Sequence, residues 1–220
     1  WTTTPWTLPS NLGLCMGPEI DYVKILDKES GDFYIFAEAR LASYYKNPED
    51  YEIIYRRKGK DFIGAKYEPL FPYFANLSDP AECERISGQK CSEGAFRMFN
   101  AAYVSTEDGT GIVHIAPAFG EDDNRVSREN GITFINPVGK DGCYTEGPWA
   151  NRLVTDPELE IEIIKYLKEN DKLFKKIKLT HDYPHCWRCK SPLIYYAKPA
   201  WYIRTTQYKN EIILWRTISA

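Results

Sequence analysis

The sequence predicts a β-rich mixed α and β fold, centred on a barrel or strongly curved sheet with helices at its periphery. Two observations carry this expectation. Short runs rich in aromatic and β-branched residues recur between turn signals, at Tyr22 to Ile25, Phe33 to Phe36, Tyr51 to Tyr55, Ala95 to Phe99 and Gly111 to Ile115. Helical signals are fewer and fall mainly late in the chain. With 220 residues, 43% of them hydrophobic, the chain can bury a sizeable core as one large domain or one domain with an appendage.

The opening WTTTPWTLPSN, Trp1 to Asn11, places three hydroxyls in a row and a fourth at Thr7, with Pro5 and Pro9 restraining the backbone. Read as an extended strand, it puts Thr2 and Thr4 on one face and Thr3 on the other, so only part of the set is expected to line any one pocket. The segment Asp79 to Glu93 is polar, holds two cysteines and interrupts the strand pattern, which reads as a surface insertion. A short helix is expected from about Glu121 to Glu129, ending at Gly131. A longer one is announced by Thr155 and Glu158 as a capping box with Pro157 in the first turn. Its stripe of Leu159, Ile163 and Leu167, with Ile164 beside them, is expected to face the core. The basic run Lys172 to Lys178 reads first as solvated surface. From His181 the character changes to a Cys-x-x-Cys pair and an aromatic extended run. The expected organisation is therefore 1–180 as the main domain, 181–205 as a connecting segment and 206–220 as a tail, partly artificial in origin.

A net charge of -3 and a pI near 5.7 exclude the global basic footprint of a stand-alone nucleic-acid binder, so any such contact must be local. Six irregularly spaced cysteines in a Lys- and Glu-rich chain argue for reduced thiols and a cytoplasmic setting rather than a disulfide framework. No run of about 18 apolar residues predicts a membrane span. The first residue is Trp1 rather than Met, and the chain is expected to be a piece of a longer protein.

Two further motifs can carry chemistry. GTGIVHIAPAFGEDD, Gly109 to Asp123, reads as a glycine turn, a buried strand bearing His114, a Pro-containing loop and an acidic helix entrance. Helix-dipole compensation accounts blandly for Asp122 and Asp123, and a backbone-bonded core histidine accounts blandly for His114. No G-x-S-x-G, G-x-x-x-x-G-K or H-E-x-x-H occurs, so a hydrolase built on these residues must use water, oriented by hydroxyls and a carboxylate. In YPHCWRCK, Tyr183 to Lys190, Cys186 and Cys189 have metal-ligand spacing beside His185, but they supply half of a tetrahedral zinc site. Cys15, Cys83, Cys91 and Cys143 offer no matching pair, and no thioredoxin-like pattern surrounds the motif.

Together WTTTPWTLPSN, GTGIVHIAPAFGEDD and YPHCWRCKSPLIYYAKPAW resemble, in order and spacing, the editing insertion of isoleucyl-tRNA synthetases over about positions 1 to 205. The related valyl and leucyl enzymes begin this region with Thr-Thr-Arg-Pro, where this chain has Thr3-Thr4-Pro5-Trp6, and valyl enzymes usually lack the histidine matched by His114. The resemblance implies a β-barrel-centred editing domain with peripheral helices, inserted into a nucleotide-binding catalytic domain. It implies hydrolysis of valine misattached to isoleucine tRNA, with valyl-adenylate as a second candidate substrate. Asp123 matches the carboxylate that holds the substrate ammonium, and Thr2, Thr3, Thr4 and Asn11 match a polar wall around the ester, adenosine and water. His114 matches a residue that limits pocket size and helps position the reacting group, and Trp1 is assigned an aromatic wall. Expected partners are the 3′ end of isoleucine tRNA and the rest of the synthetase, with no membrane and a monomeric isolated segment. Editing is expected to need no cofactor. ATP and magnesium belong to the full-length enzyme, whose HIGH and KMSKS signatures do not occur here, and zinc is admitted there at Cys186 and Cys189.

Such a second sieve answers a physical shortfall. One methylene in a hydrophobic pocket is worth about 1–3 kcal/mol, a magnitude known from the isoleucine–valine pair itself and therefore an input rather than a prediction. The competing readings are a nucleic-acid-binding zinc module, against which the acidity weighs, and a non-catalytic barrel that docks the tRNA end.

Overall fold

The structure is a computed structural model that describes residues 1–78, 81, 84, 94–178, 183–211 and 213. The expected insertion at 79–93 lies, but for positions 81 and 84, outside the described residues, as do Cys83, Cys91 and the end of the tail from Leu214. All five expected strands form. They are β2 (Asp21–Asp27), β3 (Phe33–Ala37), β4 (Tyr51–Lys58), β5 (Arg97–Asn100) and β6 (Ile112–Ile115), preceded by β1 (Gly13–Met16). β1 is not legible in the sequence: GLCM is four residues long, begins with one glycine, is followed by another and shows no alternation. It is nevertheless the central strand of its sheet, parallel to β5 and antiparallel to β6, with Cys15 and Met16 fully buried.

The strands make two three-stranded sheets, ordered β5-β1-β6 and β3-β2-β4, and no ladder closes into a barrel among the described residues. Backbone hydrogen bonds nevertheless join the two sheets on both sides. On one, the chain leaving β4 pairs with β5 through Met98 N–H to Ala65 O at 2.9 Å and Tyr67 N–H to Phe96 O at 3.1 Å. On the other, the Ala37 N–H at the end of β3 donates to Thr110 O at 2.9 Å, just ahead of β6. Gly111 makes this junction possible. Its φ is +74°, and a Cβ there would lie 2.4 Å from that of Ala37, so no other residue fits without displacing β3. The Tyr22 hydroxyl, fully buried, donates to Gly111 O at 2.6 Å and locks the same corner.

Both helices form. α1 spans Glu121–Glu129 and stops before Gly131, whose φ of +65° suits a helix C-terminus. α2 spans Pro157–Glu169 and buries Leu159, Ile163 and Leu167 as its periodicity requires. Its cap differs by one residue from the expected Thr155 box: Asp156 is the N-cap and its side chain accepts from Glu158 N–H at 2.9 Å. Pro157 at the first helical position requires this register, and Arg152 secures the capping carboxylate at 2.7 Å.

The opening segment departs most from expectation. Pro5–Ser10 is a 3-10 helix, not a strand, and Trp6, Thr7, Pro9 and Ser10 are buried. Trp6 joins Leu159, Ile163, Leu167, Trp149 and Phe71 in one apolar cluster, so this short helix is clamped against α2. Leu12, Cys15, Phe99, Ile115 and Val126 form another cluster between the β5-β1-β6 sheet and α1. The three threonines before Pro5 thus run along the seam between the two clusters. No helix among the described residues is long and apolar enough to cross a membrane.

Candidate active site

The seam opens into a cavity of about 240 Å³ lined by Trp1, Thr2, Thr3, Thr4, Thr7, His114, Asp123 and the apolar Val113, Ala116 and Phe119. All three consecutive threonines reach it, which an extended strand would forbid. The reason is a local turn in which Thr4 N–H donates to Thr2 Oγ1 at 3.0 Å, followed at once by the 3-10 helix. The hydroxyls form a chain: Thr2 Oγ1 lies 3.4 Å from Thr4 Oγ1, that oxygen 3.5 Å from Thr7 Oγ1, and the last 3.2 Å from His114 Nε2.

β6 carries His114 across from Leu14 of β1, and burial pushes its imidazole down to about 3, so it is neutral at physiological pH. Its Nδ1 is buried and has no hydrogen-bond partner among the described residues. Asp123 is the third residue of α1. Its Oδ1 accepts from Ala116 N–H at 2.7 Å, which ties the helix entrance back to the loop after β6. Burial raises its carboxyl above the ordinary range despite that bond. Gly120 at the N-cap leaves room for the second oxygen, since a Cβ there would fall 2.3 Å from Asp123 Oδ2. Asp122 pairs instead with Arg125 in solvent, so the adjacent carboxylates have separate fates. Trp1 packs its ring over Gly109 and closes one end of the cavity.

Asn11 does not join these residues. It is 5% exposed, its Nδ2–H donates to Gly13 O at 2.9 Å, and its Oδ1 accepts from the Tyr67 hydroxyl at 2.6 Å. Both ends of the amide are thus engaged in holding the start of β1. Thr7, singled out in the sequence only as a fourth hydroxyl, is the residue in reach of His114.

A larger cavity of about 510 Å³ shares Trp1, Thr2 and Thr3 with the first. It contains no imidazole. Leu8, Leu70, Ile164 and Leu167 floor it and Lys172, Lys175, Lys176 and Lys178 flank it, so the basic run is one wall of a groove rather than a detached surface. Lys172 is anchored through Nζ to the carbonyls of Pro69 and Leu70 at 2.8 and 3.1 Å.

The Cys-x-x-Cys pair stands apart. Backbone bonds from Cys186 N–H to Ser191 O and from Lys190 N–H to Cys186 O, both 2.9 Å, fold it into a tight knuckle. Cys189 Sγ lies 2.9 Å from Ser191 Oγ, and that hydrogen bond leads the effects that lower its thiol to about 7. His185 turns its Nδ1–H to Tyr183 O at 2.7 Å. Among the described residues no group of three or more His, Cys, Asp or Glu converges as a metal set, so the pair offers half of one.

No protein-family model matches the chain. Curated relatives do. An isoleucine–tRNA ligase of Treponema denticola is 44% identical over 218 residues, covering 97% of this chain and 19% of the relative. That of Bdellovibrio bacteriovorus is 43% identical over 216 residues, with the same coverage, and the cytoplasmic ligase of Mus musculus is 43% identical over 221 residues, covering 97% and 16%. The chain belongs to the isoleucine–tRNA ligase family. It spans between about a sixth and a fifth of the length of these relatives. Among solved structures, GlLeuRS-CP1 superposes with a TM-score of 0.56 at 14% identity, over 80% of this chain and 83% of that one. The editing domain of the Plasmodium knowlesi cytosolic leucyl-tRNA synthetase superposes with a TM-score of 0.53 at 12% identity, over 89% and 82%. The ligase segment therefore shares the fold of leucyl-tRNA synthetase editing domains, within which its threonines, His114 and Asp123 meet at one cavity.

Proposed function

We propose that this segment is the proofreading hydrolase of an isoleucine–tRNA ligase and that it cleaves valine from misacylated isoleucine tRNA. The observation that carries the reading is the convergence on one 240 Å³ cavity of a half-anchored carboxylate, a chain of neutral hydroxyls and an uncharged imidazole. An aminoacyl ester asks for these groups. Its α-ammonium needs a fixed negative charge, and Asp123 offers one with Oδ1 already held by Ala116 N–H. Its ester and the attacking water need orientation by groups that are not consumed, which Thr3 and Thr4 supply, with Thr2 and Trp1 at the rim. In the step itself water oxygen adds to the ester carbonyl, the ribose oxygen leaves and takes up a proton from the water, and free amino acid is released. His114, neutral and on a paired strand, is the wall that excludes the extra methylene of isoleucine.

The partner in this reading is the single-stranded 3′ end of the tRNA. The lysine-flanked groove, which opens into the same threonine wall, supports a path for its phosphates in a chain whose net charge is otherwise -3. The hydrogen bonds that join the sheets on both sides support a barrel-like core, and residues 1–180 act as the editing body with 181–205 leading to the rest of the synthetase. No step draws on a cofactor, and Cys186 and Cys189 need further donors from elsewhere in the full-length enzyme to complete a zinc site.

The test is incubation of the protein with valine-charged and isoleucine-charged isoleucine tRNA. Release of valine much faster than isoleucine is expected. Binding of the RNA without turnover would favour a docking module and overturn the hydrolase reading.

A further inference from the structure

The chemistry of the cavity leaves one buried residue without a task. Thr7 is 4% exposed, sits in the 3-10 helix and lines the cavity beside Thr4 and His114. Its Oγ1 lies 2.9 Å from Thr4 O and 3.2 Å from His114 Nε2. A hydroxyl has one proton and two lone pairs, so it can donate to only one of these neighbours. The carbonyl is an acceptor in every state, whereas the imidazole nitrogen can be either.

Two arrangements satisfy the distances. In the first, Thr7 donates to Thr4 O and accepts from His114 Nε2–H, leaving Nδ1 as a bare lone pair. In the second, Thr7 donates to an unprotonated Nε2, and the ring proton sits on Nδ1. The structure provides Nδ1 with no partner among the described residues, and the atom is buried. The second arrangement therefore strands a buried N–H donor and also gives up the shorter hydroxyl–carbonyl bond. Orphaned buried N–H groups are rarer than under-satisfied acceptors. The first arrangement wins on both counts.

We infer that Thr7 is a positioning residue that holds His114 as its neutral Nε2–H tautomer and fixes the plane of the ring. The chain then runs Nε2–H to Thr7 Oγ1 and Thr7 O–H to Thr4 O, which couples the imidazole on β6 to the threonine wall facing it. Resting on the proposed editing function, the consequence is for selectivity. A wall that discriminates by overlap with one methylene must not swing, and χ2 of a histidine is a broad torsion unless a hydrogen bond narrows it.

The test uses the whole protein and two independent readouts. Ring nitrogen-15 and carbon-13 NMR shifts of His114 report the tautomer with no substrate present, so they stand even if the proposed function fails. The wild type should show a single Nε2–H pattern at pH 7. In Thr7→Val the pattern should relax towards the averaged signature of a free imidazole, and Thr7→Ser, which keeps the hydroxyl, should restore it. The valine-to-isoleucine ratio of deacylation rates on isoleucine tRNA should fall roughly threefold to tenfold in Thr7→Val, the scale of one hydrogen bond, and recover in Thr7→Ser. An Nδ1–H signature in the wild type overturns the assignment without any variant having to fold. A changed tautomer with an unchanged ratio overturns the positioning role, and absence of turnover on either tRNA in the wild type instead strikes the functional reading.

Discussion

The two cavities that share the threonine wall work by opposite physics. The smaller one, around His114 and Asp123, is lined by groups that are neutral or tied down by hydrogen bonds at 2.7–3.5 Å. The larger one is an apolar floor edged by lysines on long side chains, of which Lys172 is anchored to backbone carbonyls. Buried, fixed dipoles act strongly at short range and tolerate no rearrangement, whereas exposed charges act over roughly 8–10 Å and are screened by salt. Under the proposed function the difference is a division of labour, with selectivity and chemistry assigned to the first and capture of the polyanion to the second. Substitutions in each cavity can break that division or sharpen it.

The largest effect is expected at Asp123. Asp123→Asn keeps an acceptor for Ala116 N–H but removes the charge, and should lower valine release by roughly a hundredfold or more, because truncating one partner of a desolvated charge pair costs about 2–5 kcal/mol. Stability should move the other way. Burial raises the carboxyl in the folded state, so the folded protein binds the proton more tightly than the unfolded one. That contribution weakens as pH rises from the ordinary carboxylate range through the raised value, and ionised Asp123 is a net cost at neutral pH. The melting temperature of Asp123→Asn at pH 7 should therefore equal or exceed that of the wild type. A variant that loses both activity and stability would place Asp123 among structural caps instead.

His114→Ala is next. Deacylation of isoleucine-charged tRNA should rise relative to valine-charged tRNA by about tenfold, since overpacking a rigid pocket by one methylene costs roughly 1–3 kcal/mol. An unchanged ratio would move the filter to Trp1 or the threonine wall. The same variant sharpens the electrostatic side. A histidine lowered from 6.5 to about 3 contributes stability that is present above 6.5 and lost as pH falls through that window, because the unfolded chain takes up the proton first. Thermal melts between pH 7 and 4 should fall more steeply for the wild type than for His114→Ala. Identical slopes would mean that the ring is not buried as described.

The smallest effects belong to the groove. Joint replacement of Lys175, Lys176 and Lys178 by Gln should raise KM for aminoacylated tRNA several-fold at low salt and leave kcat unchanged. The slope of log affinity against log salt should lessen by about 0.7 for each phosphate that is no longer neutralised. A fall in kcat with an unaltered salt slope would erase the distinction between the two cavities. Chelation should leave melting and deacylation by this segment unaltered, since two thiols make half a tetrahedral set.

Local pattern decided a good deal of this fold. Alternating aromatic and β-branched runs located β2 to β6, and the four-residue stripe of Leu159, Ile163 and Leu167 located the buried face of α2. Thr2, Thr3, Thr4, His114 and Asp123 were singled out through the resemblance to editing insertions, since each taken alone has a bland structural reading, and the fold brings them to one cavity. Pro157 alone already implied the capping role of Asp156, a signal outweighed by the Thr155 spacing. What the sequence could not decide depended on partners distant along the chain. β1 exists because β5 and β6 flank it, not because Gly13–Met16 favours a strand. The Pro5–Ser10 helix exists because Trp6 must enter the cluster built by α2, and this overrides the strand preference of the threonines and turns all three to one cavity. Asn11 lies away from the cavity and Thr7 lines it for the same reason. Spacing along a chain specifies which side chains share a face only once the backbone conformation is known, and that conformation was set by burial against residues more than a hundred positions away.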